Sequence, residues 1–262
     1  MPSSFVSRIA LSGLPIVLFS IALLSVHQAI AEEPPAGVFS PRPGEFLSAD
    51  SPHVFDRVLA DGLTIEIWFF LAGEADVPED WVLFGKKGSY WAEVRSTGQW
   101  WEVEVDVYRR WKNGGGHTHG HFDSKRLNQW LHVTVQIQGA VSRVFFNGKP
   151  RFGGGSKNNP GKLVRSKNPL IIGWRRRADN SSQKMWIDQV RISKTLRYPG
   201  EPSRPLLGDR DTLALWNFDE GLGARRYAEA SGKRYTLHRH SPLAVDTKGK
   251  LTALWGEIKK SE

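Results

Sequence analysis

The chain has 262 residues, 40% hydrophobic and 24% charged, a composition that fits a globular protein and excludes wholesale disorder. It contains no cysteine, which excludes thiol chemistry, disulfides and cysteine-built zinc sites. A net charge of +9, with 11 tryptophans and 26 glycines, points to a basic protein of strands and tight turns rather than helices.

At the N-terminus Arg8 precedes an apolar run from Ile9 to Val26, and Ala29-Ile30-Ala31 supplies the small-x-small pattern of a signal peptidase site. Residues 1–31 therefore read as a cleaved export signal, with an uncleaved anchor as the alternative. Cleavage would remove Arg8 alone among the charges and leave no further segment able to span a bilayer. The expected location is secreted, periplasmic or at the cell surface. The basic surface either serves solubility or meets a glycan or cell-surface polymer, an acidic one included. Nucleic acid is not an expected partner of an exported domain.

Residues 32–45, EEPPAGVFSPRPGE, hold four prolines and read as a linker. Strand-like runs separated by turn signals follow. LTIEIWFFL (63–71) is almost continuously apolar, as a strand buried on both faces would be. SYWAEVRS (89–96), WWEVEVDVYRRW (100–111), HTHGHF (117–122), LHVTVQI (131–137) and SRVFFNG (142–148) come next, then PLIIGW (169–174), KMWIDQVRIS (184–193) and TLALWNF (212–218). Asn147-Gly148 supplies the positive φ of a tight hairpin turn. The pattern predicts an all-β antiparallel sandwich or barrel. A tail, 246–262, carries LTALWGEIKK (251–260), a candidate short helix.

Seven of these segments are similar, in order and spacing, to one family. They are Leu63-Thr64-Ile65-Glu66-Ile67-Trp68, the LFGKKGSYWAEV segment (83–94), Trp130-Leu131-His132-Val133 and Phe146-Asn147-Gly148-Lys149. Leu170-Ile171-Ile172-Gly173, the IDQVRIS segment (187–193) with Arg197-Tyr198, and LALWNFDEG (213–221) complete the set. Together they resemble the laminin G-like, concanavalin A-like jelly-roll domains of exported bacterial proteins. The resemblance implies a two-sheet antiparallel jelly roll over residues 46–245 and a lectin-like function. Two positions depart from the family pattern: Gln189 stands where it has an acid, and Glu229-Ala230-Ser231-Gly232 replaces its D-SG turn.

Trp130 and His132 share one face of their strand, and His132 is expected to be a structural histidine with its ring nitrogens bonded. Asp188 is expected to bond backbone at a strand crossing; it is also the one candidate for calcium, although no Asp-rich loop accompanies it. No other cofactor is expected. Catalytic relatives of the wider fold carry E-x-D-x-E or E-x-D-x-x-E on one strand; Glu102-Val103-Glu104-Val105-Asp106 has its acids in a different order. A solvated strand face is the expectation, with a glycoside hydrolase using Glu102, Glu104 or Asp106 as the alternative. Nucleophile elbows and phosphate loops are absent from the sequence. Trp174 beside Arg175, in the basic run to Arg177, suits stacking on a sugar and pairing with an anion, and reads as a loop just after a strand.

The run GGGHTHGHFD (114–123) places His117, His119 and His121 on alternate positions behind glycines. A two-residue turn at Asn113-Gly114 pairs them with Arg110, Tyr108 and Asp106; a turn at Gly114-Gly115 pairs them with Lys112, Arg110 and Tyr108. Any even loop sets the histidines on the face of Glu102, Glu104, Asp106, Tyr108 and Arg110, with Val103, Val105 and Val107 toward the core. All three cannot share one ion, since His117 and His121 lie about 13 Å apart along a strand. His119 and His121 with Asp106 are the metal option. The expected function is a non-catalytic glycan-binding domain using Glu104, Asp106, Tyr108, Arg110, the three histidines, Trp174 and Arg175. A glycoside hydrolase and a protein-adhesion or scaffold module are the alternatives.

Overall fold

A computed structural model describes residues 37–49, 54–57, 62–73, 80–96, 101–107, 116–122, 127–138, 141–154, 166–175, 184–197 and 200–241. The expected export signal, the tail and residues 108–115, with Tyr108 and Arg110, lie outside the described residues.

Fourteen strands and one helical turn are described, and the strands form two antiparallel sheets, as the alternating pattern predicts. The larger sheet runs β13 (Arg226–Tyr227), β14 (Leu237–His240), β1 (Phe46–Ala49), β10 (Leu170–Arg175), β3 (Asp80–Lys86), β4 (Tyr90–Ser96), β5 (Trp101–Val107), β6 (Gly116–Phe122). The smaller runs β12 (Thr212–Trp216), β11 (Lys184–Ser193), β2 (Leu63–Ala72), β7 (Trp130–Gln138), β8 (Val141–Phe146), β9 (Lys149–Gly154). The helical turn, α1, is Val54–Arg57.

The inner faces meet in one apolar core. From the large sheet it takes alternate residues such as Tyr90, Ala92 and Val94 on β4 and Val103, Val105 and Val107 on β5; from the small sheet it takes Ile65, Ile67 and Phe69 on β2 and Leu131, Val133 and Val135 on β7. Period-two alternation is what puts these residues on one side. The central strand β2 is buried on both faces, as its composition predicts. The cover on its outer side comes from the segment after β11, residues 194–197 and 200–211, which hydrogen-bonds to outward side chains of three strands. Thr64 donates to the Thr195 carbonyl at 2.7 Å, Gln136 to the Arg197 carbonyl, and the Trp68 indole to the Ser203 carbonyl at 3.2 Å. Gln189, in the family's acid position, accepts from the Leu206 amide at 2.9 Å. We call this segment the strap.

Residues 38–45, expected as linker, are part of the fold. Phe39 is fully buried and exchanges two 2.8 Å backbone hydrogen bonds with Ile187. One large aromatic in a proline-rich run suffices to dock it, because the ring's burial offsets the cost of ordering a chain that proline has already stiffened.

The turn between β8 and β9 is the expected two-residue hairpin, with φ of 48° at Asn147 and 73° at Gly148. Gly148 also sits under the strap: a Cβ there would lie 2.1 Å from the Gly200 carbonyl oxygen. Gly148→Ala is therefore expected to cost about 2–4 kcal/mol in chemical denaturation, through strain plus a backbone clash. Gly221 has a similar φ of 83° and open space around it, so Gly221→Ala should cost only about 1 kcal/mol. Equal costs at the two positions would show that Gly148 does not bear on the strap.

Candidate functional site

Three surfaces of the sandwich concentrate polar chemistry, and the first is the outer face of the larger sheet. The hairpin of β5 and β6 forms with the parity the sequence predicts, but four residues out of the Asn113-Gly114 register and six out of the Gly114-Gly115 one. Asp106 pairs with His117, Glu104 with His119 and Glu102 with His121. Asp106 is thus the partner of His117, and the combination with His119 and His121 that a metal would need is not the one the register builds. Among the described residues no group of three or more histidines, aspartates or glutamates is arranged to hold a metal ion.

Register carries this face across the sheet. Trp174, Val82, Glu93, Glu104 and His119 are successive partners on five neighbouring strands. Trp174 and the histidine strand therefore belong to one row, roughly 19 Å long at about 4.8 Å per strand step. The acids of the row are held from within the sheet. Arg95 donates to Glu102 at 2.6 Å and pairs with Glu104 at 2.7 Å, and the Trp91 indole donates to Glu93 at 3.1 Å. Glu93, Glu102 and Glu104 are buried, yet they lie on the side away from the core that Val103 and Val105 enter. Beside them runs a line of rings. Phe46 meets Trp174 edge to face at 6.2 Å, Trp174 meets Trp91 at 6.1 Å, and His240 stacks on Phe46 at 4.8 Å. Trp91 lies directly over Gly85, where a Cβ would come within 2.1 Å of its ring.

Arg175 does not join this face. It is the last residue of β10 rather than part of a loop, and strand alternation turns it inward from Trp174, so that its guanidinium lies 5.0 Å from the ring centre of core Trp81. Asp188 also departs from expectation: it sits at a bulge in β11 and pairs with Arg204 at 2.9 Å instead of bonding backbone. Burial raises its carboxyl above the usual range, with Arg204 opposing.

The second surface is the outer face of the smaller sheet, beneath the strap. Glu66 and Arg191 are cross-strand partners joined by two hydrogen bonds, Nε to Oε2 at 2.6 Å and Nη2 to Oε1 at 2.7 Å. Arg197 pairs with Asp209 through both terminal nitrogens, at 2.9 and 2.5 Å. His132 shares the Glu66 face, 2% exposed, with its Nε2 3.8 Å from Glu66 Oε1, too far for a hydrogen bond. Neither ring nitrogen has a hydrogen-bond partner, contrary to the expectation of a bonded structural histidine. The reason is local. Arg191 takes both oxygens of the one carboxylate within reach, and the Asn147 side chain fixes the His132 backbone amide rather than its ring. Desolvation first, and Arg191 second, hold the imidazole at about pKa 4, so it is neutral near pH 7. Burial pushes Glu66 up, and Arg191 and Arg197 pull against it. Hydrogen bonds from Arg197, acting against some desolvation, hold Asp209 well below the usual carboxylate range. A cleft of about 410 Å³ opens here, lined by Glu66, His132, Arg191 and Arg197 from below and by strap residues including Thr195 and Ser203.

The third concavity, about 660 Å³, gathers Arg42, Arg225 and Arg239 around Glu45 at the start of β1; Arg239 is bound to Glu45 at 2.5 Å.

A family profile described as the concanavalin A-like lectin/glucanases superfamily matches residues 47–201. The chain belongs to this superfamily. Among solved structures it is similar to a protein of Bacteroides ovatus provisionally named as carbohydrate binding, at 14% identity and a TM-score of 0.54, over 79% of this chain and 58% of that one. It is also similar to a structure of botulinum neurotoxin type C, whose cell entry is described as dependent on two ganglioside molecules, at 12% identity and TM-score 0.48 over 61% and 39%. The binding domain of serotype D follows at 11%, 0.46, 63% and 40%. The chain thus spans between about two fifths and three fifths of these proteins. No curated protein matches the sequence.

Glu66, His132 and Arg191 lie in three separate segments of the sequence, and the fold brings them together. The signal was present in the strands themselves. An acid and a histidine on strands buried on both faces need partners, and a buried cation was the one that remained.

Neutral buried His132 makes stability pH-dependent. Its pKa of about 4 when folded lies below its ordinary 6.5, so the unfolded chain binds more protons between these values. Acidification from pH 6.5 to 4 should then cost up to roughly 3 kcal/mol from this residue. The raised Glu66 works in the opposite direction over its own window, above 4.5. Melting curves of the wild type and His132→Leu across this range isolate the histidine: the variant should lose less stability on acidification. Parallel pH profiles would contradict a neutral buried imidazole.

Proposed function

We propose that this is an exported, non-catalytic, lectin-like domain that binds a glycan on the outer face of its larger sheet. The observation that carries the reading is the line of rings Phe46, Trp174 and Trp91 in register with an acid and histidine row. Phe46 and Trp174 are half-buried, with buried Trp91 behind them, and aromatic rings beside fixed carboxylates are what sugars require: apolar ring faces for C–H surfaces, and acceptors for hydroxyls. The superfamily's lectin members, and the carbohydrate-binding name of the Bacteroides ovatus neighbour, are in keeping with it. The β6 histidines, in register with these acids, extend the same proposed face, and Tyr108 and Arg110 belong to the proposal on the sequence alone.

The glycosidase alternative is less well supported. Retaining and inverting enzymes need one carboxyl free to attack or activate water and another free to donate a proton. Here Glu102 and Glu104 share one arginine, and Glu93 accepts from an indole. An acidic polymer has one site in its favour, the concavity of Arg42, Arg225 and Arg239. Calcium at Asp188 is not favoured, because Arg204 occupies its carboxylate.

Glycan-array screening of the chain from residue 32 onward, followed by calorimetry, tests the proposal. Trp174→Ala should weaken binding at least tenfold, about 1.4 kcal/mol, while leaving the far-ultraviolet spectrum unchanged. Release of reducing sugar that disappears in Glu104→Gln would make the protein an enzyme. Silence on the array would leave the adhesion-module alternative.

A further inference from the structure

We infer that the cleft beneath the strap is a second binding site, one that accepts a single uncharged sugar unit through its hydroxyl groups. Resting on the glycan-binding reading for the source of its ligand, it adds a place and a chemistry that the larger sheet does not supply.

The first ground is an unmet requirement. His132 is 2% exposed, and both of its ring nitrogens lack a hydrogen-bond partner at the floor of the cleft. A buried polar group left without partners destabilises the fold, and proteins rarely keep one where an apolar residue would serve. The neighbouring groups do not relieve it. Glu66 is fully engaged by Arg191, and Arg191 spends its remaining terminal nitrogen on the Leu207 carbonyl at 2.7 Å. The imidazole itself is fixed, with its backbone amide bonded to Asn147 at 2.9 Å and its ring 5.0 Å from that of Trp68.

The second ground is charge. The buried carboxylate of Glu66 and the exposed one of Asp209 are matched by the two guanidiniums, Arg191 and Arg197. Asp211 at the rim lies 4.0 Å from Lys194 and 3.7 Å from Arg210. An anionic ligand would face Glu66, Asp211 and Glu201, and a cationic one would face Arg191 and Arg197, all of which line the cleft. An anionic ligand gains no cation that is not already taken, and a cationic one gains only the exposed Glu201. A neutral ligand does not disturb these pairs, and a hydroxyl group can both donate and accept. An imidazole offers one N–H and one lone pair, and a hydroxyl group can satisfy either.

The third ground is size and lining. A volume of about 410 Å³ accommodates one sugar ring with its water and not an extended polymer. Thr195 and Ser203 line the walls along with Leu196 and Pro202, giving a small apolar surface among polar groups. On the far side of Ser203, Arg204 lies over the Trp130 ring at 4.3 Å and pairs with Asp188, which stiffens that end of the strap.

The test observes His132 directly. Imidazole nitrogen and carbon shifts of the labelled chain are followed by NMR during titration with glucose, galactose, mannose, xylose and N-acetylglucosamine, and with glucuronic acid and glucosamine as charged counterparts. At least one neutral sugar should move the His132 signals with saturation, and the charged counterparts should bind at least tenfold more weakly. His132→Leu should abolish the response, measured by calorimetry, while melting at the same temperature or higher, since no protein partner is lost. His132→Gln, which keeps a donor and an acceptor, should recover part of the binding. Unmoved His132 signals with every neutral sugar would overturn the inference, as would undiminished binding to His132→Leu. If His132→Leu fails to fold, the histidine is structural and the inference also falls. Trp174→Ala separates the two sites. Glycan binding lost in that variant alone upholds the larger sheet and sinks the cleft; loss in His132→Leu alone does the reverse.

Discussion

The ion pair between Glu66 and Arg191 fixes much of the smaller sheet's outer surface. Glu66 sits on β2, the strand with a neighbour on either side and cover on both faces, where an unpaired carboxylate would carry a large desolvation cost. Arg191 meets it from the adjacent strand in direct register, so the pair forms as soon as β2 and β11 align. A one-residue slip of either strand would turn one of the two charges to the core side and leave both unpaired. The interaction thus does more for register than for net stability, since apolar residues in both places would stabilise the sheet about as well. It also orders what lies above it. Arg191 reaches the Leu207 carbonyl and Arg197 approaches the same carboxylate at 3.9 Å, so one acid on a central strand helps place both arms of the strap.

The two outer faces solve the same problem differently. A jelly roll has only one core, and each sheet must dispose of its other side. The smaller sheet folds a segment of its own chain across that side and bonds it through Thr64, Trp68, Gln136 and Gln189. The larger sheet disposes of it partly with rings laid edge to face and partly with carboxylates knitted to Arg95. In both cases the polar groups are buried without entering the core. Both proposed sites exploit that condition, because a group already stripped of water gains more from a ligand hydrogen bond than a solvated one does.

What could be read from the sequence follows from how local each feature is. Strand periodicity is local, so the face of Glu102, Glu104 and Asp106 was legible, and so was the Asn147-Gly148 turn. Register depends on loop length, and Asn113-Gly114 advertised a tight turn that the pairing does not use; Asp106 meets His117 instead of His121. Arg175 was misplaced because basic composition suggested a loop, whereas β10 continues through it and alternation sends it to Trp81. Phe39 was hidden by its prolines. The cluster of Glu66, His132 and Arg191 could not be assembled from three distant segments, since its existence depends on β2 lying between β7 and β11.

The charge of the whole chain proved a poor guide to its sites. A surplus of +9 suggests an anionic partner. Yet Arg95, Arg191, Arg197, Arg204 and Arg239 are all bound to carboxylates of the same fold. Among the described residues, these cations near the two proposed sites are therefore structural and largely spent. Long-range attraction can still raise the encounter rate of an acidic polymer, but that effect is screened within about 8 Å in physiological salt and carries no stereochemistry. Selection at the sites must come from contacts that act at hydrogen-bond and van der Waals distance. Rings on one sheet and an unmet imidazole on the other are groups of that kind, and both are better matched to the hydroxyls and C–H faces of a sugar than to its charge.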